Sequence, residues 1–147
     1  MSNLLKRANA DIQIAKTLMT PAGNPTNDEL ILGQAAYHIQ QGIEKALKYQ
    51  TEISGVPYKK IHNLVGLIDD VEKTGFPVSL SLKAMAFQIS DWEVSSRYND
   101  DFSVLRTDME KAILLYEELE SQILTRLEKQ LMQTIPEVDP PNDPDPR

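Results

Sequence analysis

The chain has no cysteine, which excludes disulfides, a thiolate nucleophile and any cysteine-based metal site. Aromatic residues are scarce, with three Phe, one Trp and five Tyr among 147 residues. The core must therefore be built from Leu, Ile, Val, Met and Ala, side chains that suit helices better than a β-sandwich. No apolar run approaches the ~20 residues that span a bilayer. The opening Met-Ser-Asn-Leu-Leu-Lys-Arg lacks the layout of a signal peptide, so a soluble, cytoplasmic protein is expected. Cations are in deficit, 15 against 22 carboxylates for a net charge of −7, which argues against non-specific binding to DNA or RNA. Glu137, Asp139, Asp143 and Asp145 against Arg147 contribute −3 of that charge and leave −4 elsewhere, a balance that still permits a local basic patch. Only two histidines occur, His38 and His62. They share no ligand spacing, so a metal site is not expected; no cofactor is expected either.

What is present is helical periodicity. The 41% hydrophobic content suffices for one core in a chain of this length, and five amphipathic segments can be read. The first runs from about Asn3 to Met19 and ends at Thr20-Pro21-Ala22-Gly23-Asn24-Pro25. Thr26 and Glu29 form a candidate capping box for a second helix that reaches about Ser54. A third is expected from about Ile61 to Lys73, and a fourth from Ser79 to Arg97. Thr107 and Glu110 suggest a second capping box, for a fifth helix whose stripe is Met109, Ile113, Tyr116, Leu119, Ile123, Leu127 and Leu131. From Pro136 onward five of twelve residues are proline, and nothing there is expected to fold. The expected fold is all-α: a four- to five-helix up-and-down antiparallel bundle over residues 1–135, with a disordered acidic Pro/Asp-rich tail at 136–147.

The second helix has two stripes. Leu32, Ala36, Ile39, Ile43 and Ala46 fall on one side, and Tyr37, Gln41, Glu44 and Lys48 roughly opposite, with Gln40 beside them. The polar stripe reads either as a solvated face with an i,i+4 ion pair or as the wall of a groove. Gly33 and Gly42 each cost ~1 kcal/mol relative to alanine inside a helix, and Gly42 permits close approach by another helix or a ligand. Tyr58-Lys59-Lys60-Ile61-His62 is the most cationic short run. It is either a polar loop or an anion-receiving edge beside that stripe. Arg97 shares a helical line with Ser90 and Val94. An inward Arg97 would pair with Glu44 or Asp91, whereas as a free fork it would hold phosphate.

In chain order, Gln40-Gln41-Gly42-Ile43-Glu44-Lys45-Ala46-Leu47-Lys48, Ile61-His62-Asn63-Leu64-Val65-Gly66-Leu67 and Ser96-Arg97-Tyr98 resemble the HEPN domain pattern over about residues 5 to 130. The resemblance implies a small helical bundle, usually dimeric, with a cleft between subunits. RNA-cutting members carry a histidine four to six residues after the arginine; here those positions hold Asp101, Phe102, Ser103 and Val104, and no histidine follows His62. The resemblance is therefore to the non-nuclease branch, and no catalytic residue is expected. Asp100 and Asp101 beside Arg97 also oppose an RNA backbone.

The leading expectation is a non-catalytic homodimer that binds a nucleotide or another phosphate-bearing ligand in its cleft. Gln41, Glu44, Lys48, His62, Arg97 and Tyr98 are its candidate binding residues, with Arg97 and Lys48 on phosphate and Tyr98 stacked on a base. The resemblance also implies an alternative, a partner of a small nucleotidyltransferase in a toxin–antitoxin pair. A third reading is an unconventional ribonuclease with His62 as acid or base.

Overall fold

The computed structural model describes residues 2–57 and 61–134. Tyr58, Lys59 and Lys60 of the cationic run, and the stretch from Pro136 onward, lie outside them. The described residues form five α-helices: α1 (Leu4–Met19), α2 (Glu29–Ile53), α3 (Leu64–Lys73), α4 (Leu80–Tyr98) and α5 (Arg106–Thr134). The fold is an all-α bundle. A short 3-10 turn, Pro21–Gly23, joins the first two helices, and none of the five is long and apolar enough to cross a membrane.

Helix α2 is the centre of the bundle and packs against each of the other four helices. Side-chain pairs fix the directions. Asp11 on α1 meets both His38 and Lys45 on α2, and Ser2 bonds Glu52, so α1 runs antiparallel to α2. Arg97 on α4 lies over Tyr37 of α2, while Phe102, just past α4, packs on Gly33 near the start of α2. Helix α4 is therefore antiparallel to α2 as well. Arg106 at the start of α5 bonds the carbonyl of Thr26, and Gln130 near its end bonds that of Ile53, which sets α5 parallel to α2.

Close approach of α1 to α2 depends on Gly42. A Cβ there would sit 2.8 Å from Ile12 Cδ1 and 3.1 Å from the carbonyl oxygen of Ala8. Of the two occupants the sequence allowed beside this glycine, the structure supplies the helix. The apolar stripe of α2 is buried as expected, with Ala36, Ile39, Ile43 and Ala46 fully so. On α5 the stripe is buried from Met109 to Ile123, but Leu131 is 52% exposed. The expected core therefore stops short of the last turns of α5.

Three helix starts differ from the sequence reading. Asp28, not Thr26, caps α2, accepting from the amides of Leu30 and Ile31; the Thr26 hydroxyl instead accepts from the Asp28 amide. Asp28 takes the position because its carboxylate reaches the free amides of the first turn and complements the helix dipole. Helix α3 begins at Leu64 rather than Ile61, capped by Asn63, and the Leu64 amide donates to Ser90 Oγ on α4 at 2.8 Å. Helix α5 begins at Arg106, so Thr107 lies inside the first turn and does not cap it. Arg106 is held there by the carbonyls of Met19 and Thr26, tertiary partners that outweigh a local capping box. Ser79, near which the fourth helix was expected to start, caps α4.

Candidate functional site

The polar stripe of α2 is not solvated. Glu44 is 3% exposed, Lys48 8%, and Gln40 0%, because α3, α4 and the approach to α3 cover this side of the central helix. The Glu44–Lys48 pair exists at 2.9 Å, but as a buried contact and not as the exposed i,i+4 pair its spacing also allowed. Burial of a carboxylate is costly unless its oxygens are satisfied. Here they are: Glu44 Oε1 accepts from Gln40 Nε2 at 3.0 Å and faces His62 Nδ1 at 3.0 Å, while Oε2 accepts from Lys48 Nζ. Gln41 joins through its own amide, donating to Gln40 Oε1 at 2.7 Å. Gln40, absent from the candidate set and noted only as a neighbour of the stripe, is the hub, since it also reaches the His62 carbonyl at 3.4 Å. Its place could be sensed only from a glutamine amid a core-facing run.

His62 is anchored at one end and open at the other. Nδ1 meets the buried carboxylate, while 62% of the side chain is exposed. Its sequence position directly before the Asn63 cap fixes it at the mouth of the network.

Arg97 stands apart from this group. It pairs with neither Glu44 nor Asp91 and does not turn inward. Its Nη2 donates to Glu93 Oε1 at 2.6 Å, and its Nε donates to the Glu93 carbonyl at 2.9 Å. Glu93 is one helical turn away and 8% exposed, so it holds the arginine from below, while 40% of the Arg97 side chain is exposed. The guanidinium carbon lies 5.6 Å from the centre of the Tyr37 ring and 5.0 Å from that of Tyr98, within cation–π range of both. The sequence puts Tyr37 on the polar stripe of α2, and only the packing of α2 on α4 brings it to Arg97. Tyr37 and Glu44 are seven residues apart, about 10 Å along a helix. The six candidates thus divide within one protomer: Gln41, Glu44, Lys48 and His62 form one network, and Arg97 and Tyr98 belong to a second site.

Beside Arg97 lies a cavity of about 540 Å³ whose walls include Leu30, Gln34, Ser96, Asn99 and Phe102. Its size is in the range of small-molecule sites, ~300–1,000 Å³. Two carboxylates, Glu29 and Asp100, share the lining with Arg97, and the buried hydroxyl of Ser96 has no hydrogen-bond partner. Among the described residues no group of three or more His, Asp or Glu side chains is arranged to hold a metal ion.

The family model described as HEPN domain matches residues 1–127 of the chain. No curated protein and no solved structure matches it.

Proposed function

The chain belongs to the HEPN domain family, and from that premise we propose that it is a homodimer that binds a nucleotide or related phosphate-bearing ligand at Arg97 without cutting RNA. The observation that carries this reading is the setting of Arg97. Its guanidinium is oriented by a buried carboxylate, bracketed by Tyr37 and Tyr98, and still 40% exposed at the edge of a cavity. A guanidinium so held is a ready fork for phosphate, and Tyr98, 73% exposed, offers a face for a base. Gln34 and Asn99 supply amides, and the acidic Glu29 and Asp100 suit ribose or base donors better than a polyanionic backbone. The glutamate network of α2 is structural in this reading, with His62 as its solvent-facing member.

Two features support the absence of RNA cleavage. No histidine follows Arg97 in the sequence. His62 is engaged by Glu44, itself about two helical turns along α2 from the Tyr37 that Arg97 overlies.

HEPN domains commonly dimerise, and α4 carries a face suited to a second copy. Leu80, Phe87 and Val94, spaced seven apart, are 82%, 80% and 52% exposed. That is the spacing of a coiled-coil seam. In this reading Tyr98 and Arg97 lie at the edge of that face, with the Tyr98 ring left for the ligand at the rim of the dimer.

Isothermal titration of ATP, GTP and a short RNA into the dimer tests the reading. Saturable binding of a nucleotide, lost in a folded Arg97→Ala variant, supports it. Unchanged affinity in that variant removes Arg97 from the site, and RNA cleavage lost on His62→Ala would establish the ribonuclease reading in its place. A monomer in solution would leave the α4 face for a nucleotidyltransferase partner instead.

A further inference from the structure

A second cavity, of about 560 Å³, lies between α2, the end of α3 and the second half of α5. It is independent of the Arg97 site: Gln50 on its wall is thirteen residues beyond Tyr37 on α2, about 20 Å along the helix. Among the described residues no carboxylate lines this cavity, whereas Arg126 and Lys129 both do. These cations are one turn apart on α5 and face the same way. Arg126 is pre-positioned: Nη2 donates to the Gly75 carbonyl at 2.9 Å, and the guanidinium carbon lies 5.6 Å from the Phe76 ring centre. A guanidinium has five N–H donors, and this carbonyl uses only one.

The second observation is Gln50. It is 3% exposed; its Nε2 donates to Ser54 Oγ at 3.1 Å, and the Ser54 hydroxyl donates to the Gln50 carbonyl at 2.9 Å. With the amide nitrogen toward Ser54 Oγ, Oε1 is left buried with no partner. Buried polar atoms in native proteins are nearly always satisfied, so a residue on a cavity wall with a leftover acceptor points to a missing donor.

We infer that this cavity is a binding site for a small phosphorylated sugar. Phosphate binds Arg126 and Lys129, and a sugar hydroxyl donates to Gln50 Oε1. The side chains of Thr125 and Gln130, also on the wall, take further hydroxyls. The two cations match a dianion, and the leftover carbonyl oxygen demands a donor that a bare anion lacks.

The test follows the side-chain amide resonances of Gln50 and Gln130 in the full-length protein as ribose 5-phosphate, ribose or inorganic phosphate is added. Ribose 5-phosphate is expected to shift them saturably with a Kd below about 1 mM, and each fragment alone about tenfold or more weaker. Arg126→Gln and Lys129→Gln, both at exposed positions, are expected to weaken ribose 5-phosphate about tenfold, while Arg97→Ala leaves it unchanged. Absence of a saturable shift, or one indifferent to Arg126→Gln and Lys129→Gln, overturns the site. Equal affinity for ribose alone overturns the role of the cations, and equal affinity for inorganic phosphate overturns the sugar assignment.

Discussion

His62 Nδ1 lies 3.0 Å from Glu44 Oε1 and 3.1 Å from Oε2, tying the approach to α3 to the middle of the central helix. The contact is lopsided, since the carboxylate side chain is 4% exposed and the imidazole side chain 62%. Glu44 is shared with Gln40 and Lys48, so its loss disturbs three partners, whereas the loss of His62 disturbs one. Glu44→Ala is therefore expected to destabilise the fold by ~3–5 kcal/mol, the range for breaking a buried ion pair. His62→Ala should cost about 1 kcal/mol or less. Urea unfolding of the two variants checks the difference; equal costs would contradict the buried role of Glu44.

Gly33 and Gly42 on α2 should respond to alanine with opposite signs. At Gly33 a Cβ meets the Phe102 ring at 3.6 Å, an ordinary contact, so Gly33→Ala is expected to stabilise by roughly 0.5–1 kcal/mol through helix propensity. At Gly42 the same atom meets Ile12 at 2.8 Å and the Ala8 carbonyl oxygen at 3.1 Å. Overpacking of ~1–3 kcal/mol there outweighs the propensity gain, and Gly42→Ala should lower the melting temperature. Thermal unfolding of both variants decides the matter.

Phe87→Glu places a charge in the middle of the exposed α4 seam. Phe87 is 80% exposed in the protomer, so the substitution should leave the fold of each chain intact. If a second copy covers this face, burying an unpaired carboxylate should weaken the dimer at least tenfold, as read by light scattering across a dilution series. An unchanged dimer would place the interface elsewhere.

Alkaline pH should destabilise the protein through Tyr116. Burial pushes this phenol above its ordinary value, and Glu120, Asp11 and Glu117 push it further; its hydroxyl also donates to Asn9 Oδ1. Below about pH 10 both the folded and unfolded chains hold the proton and stability is unaffected. Above it the unfolded chain releases the proton while the folded chain retains it, so stability falls by up to ~1.4 kcal/mol per pH unit. Tyr49, raised by burial and by Glu52, acts with the same sign. Tyr116→Phe should lose about 1 kcal/mol at neutral pH with the hydrogen bond but decline less steeply from pH 10 upward in urea titrations.

The sequence by itself determined the five helices, their apolar stripes and the family, because these rest on local spacing: 3.6-residue periodicity, glycine and proline stops, and short motifs. The stripe of Ala36, Ile39, Ile43 and Ala46 needed no partner to be recognised. Sequence also brought Glu44, Lys48 and His62 into one candidate group, and the packing joins them. Tertiary structure alone decided what those residues are for. Helical spacing shows two faces of α2 but not that α2 is central and covered on both, which is why an apparently solvated Glu44 is buried. It likewise brought Tyr37 to Arg97, because α4 crosses α2 two turns away from the glutamate network, whereas Glu93 and Tyr98 are local neighbours of Arg97 on α4 itself. The cavity around Gln50 and Arg126 had no sequence signal, since residues 76 positions apart become neighbours only when α5 packs parallel to α2. Burial and long-range adjacency are properties of the packed bundle, and no local pattern encodes them.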